Sequence, residues 1–176
     1  MEPREFLAAI GTDAVPHGSR IAPDGASSGT FLDHLTGTED QLRAWGCDEA
    51  ICCAGLFHSV FGTEGFQGFT LPLSERAAVR DVIGARAEHV AYLNCVMDRH
   101  SLDLLVADHM TQRWGPGQPP EGQLRARPNP ATGFDGSERF GLSAQQFTDL
   151  VAVQLADHLE GFDNRAHPIS SPFLAL

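Results

Sequence analysis

The sequence Asp48-Glu-Ala-Ile-Cys-Cys-Ala-Gly-Leu-Phe-His-Ser-Val-Phe61 decides the fold class. Asp48 is a favourable N-cap, and the residues from Ala50 to Phe61 are apolar on almost every side. A helix with this pattern is buried by its neighbours, so we predict a central helix over residues 50–61. His58 lies within it, where an imidazole without a partner would cost on the order of a few kcal/mol.

Helical periodicity continues on both sides of this segment and predicts an all-α fold, a bundle of about six helices. We expect a single domain over residues 1–176, with its core at residues 14–160. No alternating pattern longer than four residues indicates a strand. The other predicted helices cover residues 2–11, 31–45, 74–97 with a break at Gly84, 102–114 and 143–159. Residues 15–30 and the Pro/Gly-rich segment 115–141 are predicted to be loops, the second either disordered or functional, and residues 161–176 a surface tail.

Composition narrows the classes of partner. The 176 residues include 12 basic and 23 acidic ones, a formal net charge of -11, and every basic residue is Arg. This charge argues against nucleic acid and anionic membrane surfaces, which require a positive field. The sequence has no apolar run of the ~20 residues that span a bilayer, and no secretory signal is visible. We therefore expect a cytoplasmic protein whose cysteines are reduced. We also expect a small-molecule substrate. The assembly state stays open, with a homodimer as one option.

Three polar residues occupy positions where a helical core prefers apolar ones: His34, His58 and Asp157. Two imidazoles and one carboxylate from three packed helices form a ligand set for a divalent metal with open positions for water and substrate. The alternative is a set of hydrogen-bonded core residues, and spacing alone leaves the two interpretations about equal.

The same residues carry a family resemblance. The stretch from His34 through Trp45-Gly-Cys-Asp48 to Ala54-Gly-Leu-Phe-His58-Ser-Val-Phe-Gly-Thr-Glu64 resembles the start of an HD-superfamily domain, in particular the alarmone (ppGpp) hydrolases. Ala14-Val-Pro-His17-Gly-Ser-Arg20 is similar to an upstream family segment, and Leu155-Ala-Asp157 is similar to the last ligand helix. The resemblance implies one divalent metal, Mn, Fe or Zn, held by the two histidines and the aspartate.

Departures from the family pattern bear on activity. Ser59 stands where the family has the Asp of its His-Asp pair, and Gly62-Thr63-Glu64 stands where the hydrolases have a Glu-Asp pair. We assign catalytic roles to Glu64, Ser59 and Arg20. His17 and Arg99 are the candidate substrate-binding residues, because Arg binds anionic or planar groups.

Three functions therefore stay open. The first is metal-dependent hydrolysis of a small substrate, phosphorylated or not, by activated water. The second is an iron-dependent oxygenase similar to inositol oxygenase, for which His89, His100 and His109 are candidate ligands of a second metal. The third is a degenerate HD domain that binds a ligand without catalysis, and a similar uncharacterised group of proteins carries Ser at the same point of the motif.

Overall fold

The computed structural model describes residues 1–21, 27–111 and 123–160, but not the side chains of residues 18–21 and 27–28. These residues form seven α-helices and two antiparallel two-stranded sheets. The helices are α1 (Pro3–Ala9), α2 (Phe31–Ala44), α3 (Glu49–Leu56), α4 (Arg76–Ile83), α5 (Ala85–Val96), α6 (Arg99–Met110) and α7 (Ala144–Glu160). The strands are β1 (Pro16–Ile21) paired with β2 (Ser27–Thr30), and β3 (Gln123–Arg125) paired with β4 (Arg139–Gly141).

The core is built around α3, as the sequence predicts. Every residue of α3 from Ile51 to Leu56 is buried, and α2, α5 and α7 pack against this helix, with α7 also packing against α2 and α5. Asp48 is the N-cap and accepts a hydrogen bond from the backbone N–H of Ile51. Gly55 allows a close approach of α2, because a Cβ at this position would collide with the Leu42 side chain.

The predicted helix over residues 50–61 is too long. α3 ends at Leu56, and the next five residues form turns that are as deeply buried as the helix itself. Their apolar character comes from this burial, so the sequence pattern does not distinguish them from a helix. His58 consequently lies in a turn after α3, with Gly62 in the left-handed region at φ 77°.

The prediction of an all-α chain is correct for the core and wrong for two of the predicted loops. β1 and β2 lie within residues 15–30, and β3 and β4 lie within residues 115–141. These strands are three to six residues long and occur in segments rich in Gly, Ser and Arg. β1, β3 and β4 contain one large apolar residue each and β2 contains none, so no alternating pattern forms even though Leu124 of β3 is buried, which explains why the periodicity did not reveal them.

The later part of the predicted loop is anchored to the core by Arg127. Its buried guanidinium donates to the backbone carbonyls of Cys95 and Gly62, at 3.1 and 3.0 Å. Residues 123–141 therefore pack beside the C-terminus of α5. Residues 112–122 and the predicted tail 161–176 lie outside the described residues. Among the described helices, none is long and apolar enough to cross a membrane.

Candidate metal centre

His34, His58 and Asp157 meet in the interior of the bundle, as predicted from the sequence. The two Nε2 atoms of the histidines are 3.2 Å apart, and each lies 3.3 Å from Oδ1 of Asp157. Two ligands at ~2.1 Å from a shared ion lie about 3.0–3.4 Å apart at octahedral or tetrahedral angles. The three donors therefore have the separations of a metal site, and they face one common point.

Each donor comes from a different element. His34 lies in the first turns of α2, which begins at a capping box formed by Thr30 and Asp33. His58 follows α3, and Asp157 lies in the last turn of α7. Both histidines are buried, and the Asp157 side chain is 13% exposed. Sequence-distant residues thus reach one buried point because α2, α3 and α7 pack against one another.

The second ring nitrogen of each histidine has its own partner. His34 Nδ1 lies 2.6 Å from Oε2 of Glu160, and His58 Nδ1 lies 2.7 Å from the carbonyl oxygen of Gly55. A neutral imidazole that donates from Nδ1 retains a lone pair on Nε2. Metal-binding histidines are usually oriented in this way by a carboxylate or a backbone carbonyl.

The charges around the centre favour a bound cation. Burial alone would lower the pKa of His34, but hydrogen bonds to Asp157 and Glu160 outweigh it and raise this pKa to about 9. Burial alone would raise the pKa of Asp157, yet the adjacent His58 and His34 hold it well below its usual value. The centre thus has an ionised carboxylate beside an imidazole that takes up a proton, and a metal ion would replace that proton.

His17, predicted to bind substrate, lies directly against the centre. Its ring stacks on the His34 ring with centroids 4.3 Å apart and planes 15° apart, and Phe66 contacts it edge-on at 4.8 Å. Burial, and secondarily the charge on His34, lower the pKa of His17 to about 4. Its buried Nδ1 has no hydrogen-bond partner among the described residues, so a neutral ring with an unpaired polar atom lies beside the candidate ligands.

Arg99, the other predicted substrate-binding residue, reaches the centre from the start of α6. Its Nη2 lies 3.4 Å from Oδ2 of Asp157. Its Nε is buried and has no hydrogen-bond partner in the described part of the chain. The backbone N–H of Arg99 donates to Oε2 of Glu64 at 3.1 Å. Glu64 is therefore an exposed carboxylate next to Arg99, not a member of the triad.

The structure does not test the remaining catalytic assignments. Ser59 is buried next to His58, and within the described residues its side chain makes no hydrogen bond to the triad. The Arg20 side chain lies outside the described residues. The roles of Glu64, Ser59 and Arg20 stay predictions.

The candidate ligands of a second metal are not brought together. The His89 ring lies near Tyr92, the His109 ring lies near Phe147, and His100 is exposed at the start of α6. Over residues 1–21, 27–111 and 123–160, the His, Cys, Asp and Glu side chains form one group with metal-site distances, the triad.

Sequence reasoning missed the residues that surround the ligands. Asn94 donates to the carbonyl oxygen of His58 at 2.7 Å and accepts from Nε2 of Gln154 at 2.6 Å. Gln154, Asp157 and Glu160 are spaced by three residues, so they share one face of α7. This spacing of polar residues on the inner face of the last helix is the signal that would have identified Gln154 and Glu160.

Comparison with known proteins gives one match. Residues 19–99 match a family described as a domain of unknown function (DUF6817). The matched segment contains His34 and His58 and ends before Asp157 and Glu160. No curated protein and no solved structure matches the chain.

Proposed function

We propose that this protein is a metal-dependent enzyme in which His34, His58 and Asp157 hold one divalent cation. The observation that carries the proposal is the convergence of two Nε2 atoms and one carboxylate oxygen at 3.2–3.3 Å. With a hydrogen bond to an oxygen acceptor at each Nδ1, the two Nε2 lone pairs would repel one another unless a proton or a metal ion lay between them. Histidines that are only hydrogen-bonded core residues have no reason to place their two Nε2 atoms side by side.

The donor set suits Zn²⁺, Mn²⁺ or Fe²⁺, and three protein ligands leave positions for water and substrate. When bound, the ion supplies Lewis-acid chemistry and lowers the pKa of water, so hydrolysis is the reaction that we propose. Glu64 is the acid or base that we assign to this reaction; its carboxylate accepts a hydrogen bond from the backbone of Arg99, whose guanidinium contacts Asp157.

The substrate is proposed to be small and to carry an anionic group. Arg99 offers a buried Nε without a hydrogen-bond partner in the described residues, and His17 offers a buried Nδ1 in the same condition. Nε of Arg99 is a donor that favours a ligand with oxygen acceptors, Nδ1 of the neutral His17 can donate or accept, and guanidinium binds carboxylate and phosphate. Phosphate is the group that the hydrolase resemblance implies.

We also propose that the protein is located in a reducing compartment such as the cytoplasm. The four cysteines are free thiols, and Cys52, Cys53 and Cys95 are buried. Burial raises the pKa of Cys53 and of Cys95 to about 12, which keeps both thiols protonated and unreactive.

An iron-dependent oxygenase is the second candidate. Two imidazoles and one carboxylate on one side of a metal, with open positions opposite, are also the ligand set of non-haem Fe(II) oxygenases. The geometry of the triad fits this class as well as it fits a hydrolase. The reaction would use a single iron, since the described residues contain no second group of ligands.

Turnover by the metal-loaded chain tests the reaction class. Chelator-treated protein is loaded with Zn²⁺, Mn²⁺ or, without air, Fe²⁺, and assayed for hydrolysis of chromogenic phosphate mono- and diesters and for O₂ uptake with candidate substrates. We expect metal-dependent hydrolysis that is lost in Asp157→Ala and retained in His100→Ala, which removes an exposed histidine outside the triad. Iron-dependent O₂ uptake without hydrolysis would replace the hydrolase by the oxygenase. A metal-loaded protein that does neither would contradict an enzyme and favour a ligand-binding domain.

A further inference from the structure

We propose that Glu160 is a positioning residue of the metal centre, which orients His34 through Nδ1 and supplies the negative charge that Ser59 does not. This inference rests on the proposed metal site. Glu160 does not contact the ion position itself. It acts on the ion through the ring of His34.

The contact between Glu160 and His34 is short and buried. Oε2 lies 2.6 Å from Nδ1, and the side chains of Glu160 and His34 are 5% and 8% exposed. The two residues are separated by 126 positions in sequence, so the contact depends on the end of α7 meeting the beginning of α2. A hydrogen bond to a carboxylate at one ring nitrogen raises the basicity of the other, and therefore its strength as a metal ligand.

Gly37 makes room for this carboxylate. It lies one turn after His34 on α2, and a Cβ at this position would be 2.6 Å from Cγ and 2.9 Å from Oε1 of Glu160. Any residue other than glycine would displace Glu160. A glycine in a helix interior costs about 1 kcal/mol relative to alanine, and α2 contains one at the point where the Glu160 side chain passes.

The charges around the ion position explain why a second carboxylate, that of Glu160, would strengthen the site. Asp157 provides one negative charge against the two positive charges of a divalent ion, and both histidine ligands are neutral when bound to metal. Ser59 is uncharged at the position where the HD resemblance places a further ligand carboxylate. Arg99 adds a positive charge next to Asp157. The carboxylates of Asp157 and Glu160 together match the two charges of a divalent ion, whereas Asp157 alone would leave an excess of positive charge that Arg99 increases.

Metal affinity tests the proposal with Co²⁺ as the probe. The full chain is stripped with chelator, its fold is checked by circular dichroism, and Co²⁺ is titrated in while the visible ligand-field bands are recorded. Glu160→Gln keeps an acceptor for Nδ1 without the charge, and we expect about tenfold weaker binding. Glu160→Ala removes both, and we expect a loss approaching 100-fold together with altered Co²⁺ bands. Glu75→Gln is the matched control, since it removes the same charge from an exposed turn, and should bind as the wild type does.

Gly37→Ala is an independent arm of the test. It leaves Glu160 in the sequence but displaces its side chain, so Co²⁺ affinity should fall about as far as in Glu160→Ala. When Gly37→Ala and Glu160→Ala are combined, the two losses of affinity should not add, because each substitution removes the same contact between Glu160 and His34. Wild-type affinity and wild-type bands in Glu160→Ala and Gly37→Ala would overturn the role of Glu160 alone. Failure of the wild type to bind Co²⁺ would overturn the metal site, and the role of Glu160 with it.

Discussion

The two ring nitrogens of His34 contact two different acidic residues. Nδ1 faces Glu160, and Nε2 faces Asp157 and His58. His17 stacks on the ring. In the metal-free chain these acidic partners favour the imidazolium, so a metal ion has to displace a proton from His34 when it binds.

The metal-free protein should lose stability as the pH rises above neutral. The pKa of His34 is about 9 in the folded chain and 6.5 in the unfolded reference. Because the folded value is the higher one, the stabilisation is complete below about pH 6.5 and is lost as the pH rises through 9. The free energy of unfolding should fall by on the order of 2–3 kcal/mol between pH 6 and pH 10. Urea unfolding in the presence of chelator measures this fall.

His34→Gln is the control for that titration, because it removes the group with the raised pKa. Its free energy of unfolding should change much less over the same pH range. A wild-type stability that stays level or increases from pH 6 to pH 10 would contradict the ion pairing described for His34.

Single residues of the site differed in how far the sequence revealed them. His58 and Asp157 were predictable because a polar residue among apolar neighbours must have a partner in the core. Glu160 was not, because a glutamate at the end of a helix ordinarily faces solvent. The contact of Gly37 with Glu160 depends on the packing of two helices that are distant in sequence, which no local pattern records.

Among the helices, α7 has the largest part in building the centre. Its inner face carries Gln154, Asp157 and Glu160 at intervals of three residues. Gln154 donates to Asn94 of α5, which in turn donates to the carbonyl oxygen of His58. Through this chain of hydrogen bonds α7 fixes the turn that presents His58, in addition to providing a ligand itself.

Gln154→Leu should destabilise the fold and weaken the metal site together. The substitution leaves Oδ1 of the buried Asn94 without its donor, at a cost of about 1–3 kcal/mol in the free energy of unfolding. Chemical denaturation measures this loss, and a titration with Zn²⁺ should show weaker binding. Gln123→Leu, at an exposed position of β3 whose side chain makes no hydrogen bond among the described residues, should change stability by less than about 0.5 kcal/mol. Equal effects of the two substitutions would contradict the structural role of Gln154.

The elements were predictable to the extent that they follow hydrophobic periodicity. α2 and α7 begin and end within about two residues of their predicted bounds, and the break at Gly84 separates α4 from α5 with the glycine at φ 82°. The end of α3 was not predictable, since the following turn is equally apolar. The strands were missed because their sequence is that of a loop.

At the scale of the whole molecule, the proposed metal site joins residues that are far apart in the sequence. His34 and His58 come from the first third of the sequence, whereas Asp157 comes from the last described helix, so the ligands cannot assemble before the bundle has formed. A bound ion should therefore stabilise the complete fold, by about 2.7 kcal/mol at a free-ion concentration 100 times the Kd.

The composition was informative at this scale in one respect. The acidic composition without lysine predicts that polyanions are not partners of this chain, and Arg99 brings a local positive charge to the centre. The sequence could not reveal the charge balance at the site, because this balance depends on which side chains the packing of α2 and α7 brings together.

Equilibrium dialysis against Zn²⁺ followed by elemental analysis tests the metal centre most directly. The wild type should retain about one ion per chain, since the three donors form one site. His58→Ala and Asp157→Ala should retain almost none, while His109→Ala, which removes a histidine outside the triad, should retain as much as the wild type. Retention of an ion by the two triad variants, or its absence from the folded wild type, would contradict the account.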